Sequence, residues 1–64
     1  MNFIGVKTPS NREIIVNPNA ISHFVPDTVN DKFNGSYTIF MVCGTQIQID
    51  EKEFIRIISG IIGG

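Results

Sequence analysis

The spacing of the hydrophobic residues changes near Asp50, and this change constrains the fold more than any other feature of the sequence. Residues 45–49 alternate, with Thr45, Ile47 and Ile49 on one side and two glutamines on the other, which is typical of a half-buried β-strand. From residue 51 onward the apolar residues recur at spacings of three and four, which predicts an amphipathic helix over about residues 51–61. Its predicted core face comprises Phe54, Ile57, Ile58 and Ile61. Asp50 and Glu53 resemble a capping box at the start of this helix.

Four more segments rich in β-favouring residues precede this strand and are separated by turn residues. They span about residues 3–8, 12–17, 20–25 and 37–43. The polar stretch 26–36 is interpreted as a loop, longer than most connections in a small domain. We therefore expect a single small domain over residues 1–64 with an α+β fold. It would consist of a small antiparallel β-sheet of about five strands with two hairpins, followed by one C-terminal amphipathic helix.

The chain lacks the cross-links that usually stabilise so small a core. Its 64 residues include one cysteine and one histidine, too few for an internal disulfide or a structural zinc site. Domains of this size usually rely on such supports or on a partner subunit, which favours self-association. The 37–43 strand is apolar on both faces, so either curling of the sheet or a second copy covers the face that the helix leaves open. We interpret Cys43 as a buried, inert thiol at the end of this strand.

The charge balance and the apolar runs argue against several classes of partner. Five basic residues against six acidic ones give a net charge of −1, which disfavours binding of a nucleic-acid polymer. The longest apolar run, residues 39–43, is far too short for membrane insertion, and no signal peptide is visible. Together with the single thiol, these features indicate the cytoplasm of a bacterium or of a phage-infected host cell. No motif for catalysis, a metal or a cofactor is present, so we expect a protein that is not an enzyme and carries none.

Five residues are candidates for ligand binding, and each also has a purely structural interpretation. The set comprises Lys7, Arg12, His23, Phe33 and Tyr37. The two cations would hold a phosphate-bearing ligand together with residues of a second subunit, because no glycine-rich phosphate loop is present. The aromatic rings would stack on a base, or would instead pin the 26–36 loop to the domain. The histidine is otherwise explained as a residue satisfied at a sheet edge or at a subunit contact.

Four segments of the chain together resemble a known family. They are residues 13–21, 26–28, 37–44 and 46–51, followed by the short helix. In this pattern the chain is similar to the small flagellar FlbD/SwrD-like (swarming-motility) proteins and to similar short proteins of bacteria and phages. The resemblance implies a hairpin that leads into an asparagine–proline step, then a glycine turn, a strand and a terminal helix. It implies no catalytic residues.

Two functions of different classes follow from these patterns. The first is a non-catalytic small oligomeric binding protein, for example a phage-encoded one that sequesters a small, nucleotide-type host signal and so acts against host defence. The second is a motility- or flagellum-associated interaction protein that docks on a larger partner through a strand edge or its apolar face. The expected partners are therefore a second copy of the chain and either a small-molecule ligand or a protein.

Overall fold

The computed structural model describes residues 3–63, and within them it confirms the α+β class, with five antiparallel strands and one C-terminal helix. The elements are β1 (Ile4–Lys7), β2 (Glu13–Val16), a 3-10 turn (Pro18–Ala20), β3 (Ile21–Val29), β4 (Lys32–Met41), β5 (Gln46–Asp50) and α1 (Glu51–Gly63). The strands divide between two sheets, a β1-β2 hairpin and a three-stranded sheet in the order β3-β4-β5. The predicted domain over residues 1–64 extends at both ends beyond the described residues.

The core lies where the β1-β2 hairpin, the three-stranded sheet and the helix meet. The buried hydrophobic side chains among residues 3–63 are Val6, Val16, Ile39, Ile47, Ile49 and Ile57. The alternation predicted for the last strand is confirmed, because both isoleucines of β5 are buried and its glutamines are exposed. Burying a side chain of this size contributes about 1.5–3 kcal/mol, so a core this small leaves a narrow margin of stability.

The predicted core face of the helix is correct over its first two turns and fails near the end. Ile57 is buried, Phe54 is half-buried against the core, and Ile58 is half-buried. Ile61 is 44% exposed, because the helix runs past the edge of the core. The neighbouring Ile62 is 78% exposed, so the apolar stripe of the helix is wider than the surface that this chain covers.

The interpretation of residues 26–36 as a loop is wrong, because β3 and β4 continue through this segment as a hairpin. The two strands join at Asn30 and Asp31, whose φ angles are +53° and +64°. Positive φ at both central residues is the signature of a type I′ turn, which matches the twist of the flanking strands and which Asn and Asp tolerate. Since β5 pairs only with residues 36–40, the outer hairpin has no third strand. The outer hairpin can therefore carry polar side chains on both faces and still form strands. For this reason the polarity of residues 26–36 was not evidence for a loop.

Cys43 is exposed, so its interpretation as a buried thiol is also wrong. The strand ends at Met41, two residues earlier than predicted, because residues 42–45 form the connection to β5. The Met41 amide donates to the Thr45 carbonyl at 2.9 Å, and Gly44 has a φ of +97° that a side chain would disfavour. The thiol therefore lies on a turn rather than on a strand face.

Candidate functional site

The turn between β1 and β2 is closed by a local network that holds Arg12 in place. The Thr8 amide donates to the Arg12 carbonyl at 2.9 Å, and the Asn11 amide donates to the Thr8 carbonyl at the same distance. The Thr8 hydroxyl lies 2.9 Å from the Ser10 hydroxyl and accepts from the Arg12 amide at 3.3 Å. Asn11 has a φ of +69°, a conformation that asparagine adopts more readily than most residues. The turn predicted at residues 9–11 is thus confirmed.

A groove of about 300 Å³ lies between this turn and strand β5. It is lined by Thr8, Pro9, Ser10, Arg12, Ile14, Gln46, Ile47 and Gln48. Two isoleucine side chains provide apolar surface, while hydroxyl, amide and guanidinium groups provide hydrogen-bond partners. Ligand sites in proteins combine these features, with an apolar lining and a few polar groups that orient the ligand. We call this cavity the first groove.

The wall of the first groove on the β5 side is ordered by a polar network across three strands. The Thr38 hydroxyl donates to Asp27 Oδ1 at 2.8 Å, and Gln48 Nε2 donates to Asp27 Oδ2 at 3.3 Å. Asp27 thus connects β3, β4 and β5 on the sheet face opposite the buried Ile39. Because one N–H of the Gln48 amide is engaged, its second N–H and its carbonyl oxygen remain for a ligand in the groove.

Arg12 carries the free charge of the first groove. Within residues 3–63, the structure shows neither an ion pair nor a hydrogen bond for its guanidinium group, and the residue is exposed. A guanidinium presents several N–H donors in a planar fork that matches a phosphate or carboxylate bidentately. The described lining contains no carboxylate, imidazole or thiol that could transfer a proton or attack a substrate. The arrangement therefore suits binding of an anion.

A second groove, of about 270 Å³, lies on the other side of the same turn. It is lined by Lys7, Thr8, Pro9, Asn11, Asp50, Lys52 and Glu53. Thr8 and Pro9 line both grooves, so the turn lies between the two grooves. Lys7, the second predicted cation, thus lies across the turn from Arg12 rather than in the same groove.

Glu53 ties the helix to β1 and so positions Lys7. Its carboxylate accepts the Lys7 amide at 2.9 Å and two N–H groups of Arg56 at 2.7 and 3.0 Å. The Arg56 hydrogen bonds, and then the Lys7 amide, lower the pKa of Glu53 from 4.5 to about 2. Arg56 also donates to the Gly5 carbonyl, which adds a second link between helix and strand. The Asp50 carboxylate caps the helix by accepting the Glu53 amide at 2.9 Å, so only one half of the predicted capping box forms.

The three remaining candidate residues lie outside both grooves. The His23 ring stacks on Phe40 with a centroid distance of 4.7 Å, and its Nδ1 lies 2.8 Å from the Ser22 hydroxyl. The rings of Phe33 and Tyr37 are in contact with a centroid distance of 5.1 Å. The Tyr37 ring also stacks on Phe54 of the helix with a centroid distance of 3.8 Å. These contacts favour the structural interpretation of the rings, because the His23–Phe40 stack joins β3 to β4 and the contacts of Phe33 and Tyr37 lead from the hairpin to the helix.

Several lining residues of the grooves were not among the predicted candidates. Thr8 and Ser10 could have been found, because they adjoin the predicted turn beside Arg12. The glutamines of β5 were visible only as the outward face of an alternating strand, and Lys52 only as a charge in the first turn of the helix. Nothing in their local sequence indicates that they face the first hairpin turn.

Two further searches of the described residues concern other classes of site. Residues 3–63 bring together no group of three or more histidine, cysteine, aspartate or glutamate side chains able to hold a metal ion. No helix among these residues is long and apolar enough to cross a membrane. No protein-family model, curated protein or solved structure matches the chain significantly.

Proposed function

We propose that this chain is a non-catalytic binding protein that holds a small, nucleotide-type anion in the first groove and works as a small homo-oligomer in the cytoplasm. The observation that carries the proposal is the unpaired guanidinium of Arg12 beside a groove lined with hydroxyl and amide groups. A phosphate group would accept from the Arg12 fork and from whichever of the Thr8 and Ser10 hydroxyls does not donate to the other. The apolar surface of Ile14 and Ile47 would cover the ring or sugar of the ligand.

Self-association is supported by how much large apolar surface the described residues leave open. Ile15 on β2 and Ile55 and Ile62 on the helix are all more than half exposed, whereas the buried core is small. Apolar side chains of this size that stay in solvent are available to meet another protein, including a second copy of the chain. A protein of this kind, encoded by a phage, would lower the free concentration of a host nucleotide signal by binding it without turnover.

The test of the proposal is calorimetry with a panel of cyclic and linear nucleotides, using the wild type and two charge-matched variants. Arg12→Ala removes the groove cation, and Lys32→Ala removes one positive charge beside the distant β3-β4 turn. We expect saturable binding that Arg12→Ala weakens about tenfold or more, since hydrogen bonds to charged groups contribute about 1.5–3 kcal/mol. Lys32→Ala should leave the affinity unchanged. Absence of heat with every nucleotide, or equal losses in both variants, would contradict the proposal.

Docking on a larger partner, as the resemblance to FlbD/SwrD-like proteins implies, is the second candidate function. It is favoured by the exposed apolar side chains of the projecting hairpin, where Val29 is 57% and Phe33 44% exposed. Strand addition at the β3 edge is disfavoured, because register shifts and Pro26 interrupt the row of donors there. The hairpin would therefore dock through its side chains. Flagellar genes beside the coding sequence, with loss of partner binding in Phe33→Ser, would support docking over ligand binding.

A further inference from the structure

The positive charge of this acidic chain is concentrated at the first hairpin turn. The sequence has five basic residues, and its net charge is −1. Of these residues, Arg56 is paired with Glu53, and Lys32 lies at the start of β4. The other three line the two grooves on either side of the turn: Lys7, Arg12 and Lys52. Within residues 3–63 the structure shows no ion pair for any of these three.

The second groove contains as many carboxylates as lysines. Glu53 is paired with Arg56, and its oxygens already accept three N–H groups. Asp50 uses Oδ1 to cap the helix, and Glu13 lies opposite Lys7 in the register of β1 and β2. Asn11 and Thr8 also line the groove on the side of the turn. The groove therefore offers an anion two exposed ammonium groups that form no salt bridge within residues 3–63, rather than a net positive charge.

The two grooves are both small, and they lie next to each other. Each has a volume of about 300 Å³ or slightly less, at the lower limit of about 300–1,000 Å³ for small-molecule sites. The combined volume of the two grooves lies well inside that range. They adjoin along Thr8 and Pro9, so a single molecule can lie across the turn and reach both.

We infer that the ligand carries two separated phosphate groups, one held by Arg12 in the first groove and one held by Lys7 and Lys52 in the second. This inference rests on the proposed function and deepens it, because it names the ligand class as a bis-phosphate nucleotide and adds Lys52 to the site. Lysine binds phosphate as a point charge, whereas arginine binds it through its planar fork. The two ends of the ligand would therefore be held by different chemistry.

The experiment compares adenosine, adenosine 5′-monophosphate and the 5′-phosphorylated dinucleotide pApA, which carries two phosphates, by calorimetry at one salt concentration. The proteins are the wild type and Arg12→Ala, Lys52→Ala, Lys52→Gln and Lys32→Ala. The glutamine variant retains most of the aliphatic stem of Lys52 and removes only the charge. Thermal melts establish that each variant is folded; Lys52 and Lys32 are both exposed, which makes this the expected result.

We expect pApA to bind more tightly than the monophosphate, and both Lys52 variants to weaken pApA about tenfold while leaving the monophosphate unchanged. Arg12→Ala should weaken both ligands, and Lys32→Ala neither. If pApA binds no more tightly than the monophosphate, or if the Lys52 variants do not weaken it selectively, the inference is overturned and the single-phosphate site stands. If no nucleotide binds at all, the proposed function itself fails.

Discussion

Removing the charge of Glu53 should loosen the helix from strand β1. Glu53 accepts the Lys7 amide and two N–H groups of Arg56, so it connects the helix to the strand that supports both grooves. We consider the change Glu53→Gln, with Glu51→Gln as the matched control. Glu51 lies in the same first turn, is exposed and carries the same charge. Both variants lose the same favourable interaction with the helix dipole, so their difference isolates the contacts of Glu53.

The magnitude follows from the pKa of Glu53 and from its exposure. Lowering this pKa from 4.5 to about 2 corresponds to an upper limit of about 3 kcal/mol of folding free energy. The Glu53 side chain is 18% exposed and that of Arg56 is 53% exposed, so solvent screens part of this interaction. A contribution of about 1–2 kcal/mol is therefore expected. In a domain of this length, each kcal/mol shifts the melting temperature by about 4–8 °C.

The pH dependence gives an independent measurement of the same interaction. Because the folded-state pKa lies below the unfolded one, the stabilisation is fully present above about pH 4.5 and is lost as the pH falls toward 2. Thermal melts by circular dichroism at pH 7, 4 and 2.5, at one protein concentration, should show this loss in the wild type. Glu53→Gln should melt lower than Glu51→Gln at pH 7, and the gap should narrow at pH 2.5. Equal melting temperatures for the two variants at pH 7 would refute this account of the helix contact.

Three further predictions test the turn, the core and the thiol. Asp31→Gly should raise the melting temperature of the protein by a few degrees, because glycine adopts positive φ at the second turn position without strain. A lower melting temperature in this variant would contradict the type I′ assignment at Asn30 and Asp31. Ile39→Ala should lower the free energy of unfolding by about 2–5 kcal/mol, since this fully buried residue lies on the central strand. Circular dichroism at 25 °C should then show a largely unfolded chain, and a stable cooperative fold would refute the core assignment. Cys43 is exposed, and the Thr45 hydroxyl lowers the pKa of its thiol, so the native protein should react readily with an aromatic disulfide reagent at neutral pH. Thr45→Val should slow that reaction, and an unreactive native thiol would contradict the exposed placement.

The sequence alone was sufficient for those parts of the fold that local periodicity controls. The alternation in β5 and the helical spacing after Asp50 both predicted elements that the structure contains, because a buried face repeats every two residues in a strand and every three to four in a helix. The hairpin through residues 26–36 was missed for the same reason. Its outer half has no third strand and no deeply buried face, so no hydrophobic period marks it. The positive φ angles of Asn30 and Asp31, which define the turn, are visible only in the structure.

The candidate site shows the same division between local and long-range information. Arg12 and the turn before it are adjacent in sequence, so the sequence by itself determined that a cation follows a rigid turn. Only the tertiary structure decided that this cation faces β5, and that Lys52 reaches the other side of the same turn from the helix. Such contacts join residues some 30 or more positions apart, and they arise from burial of the shared core, through which the first hairpin packs against the last strand and the helix. That burial is a property of the whole chain, and no local pattern of residues encodes which surfaces it brings together.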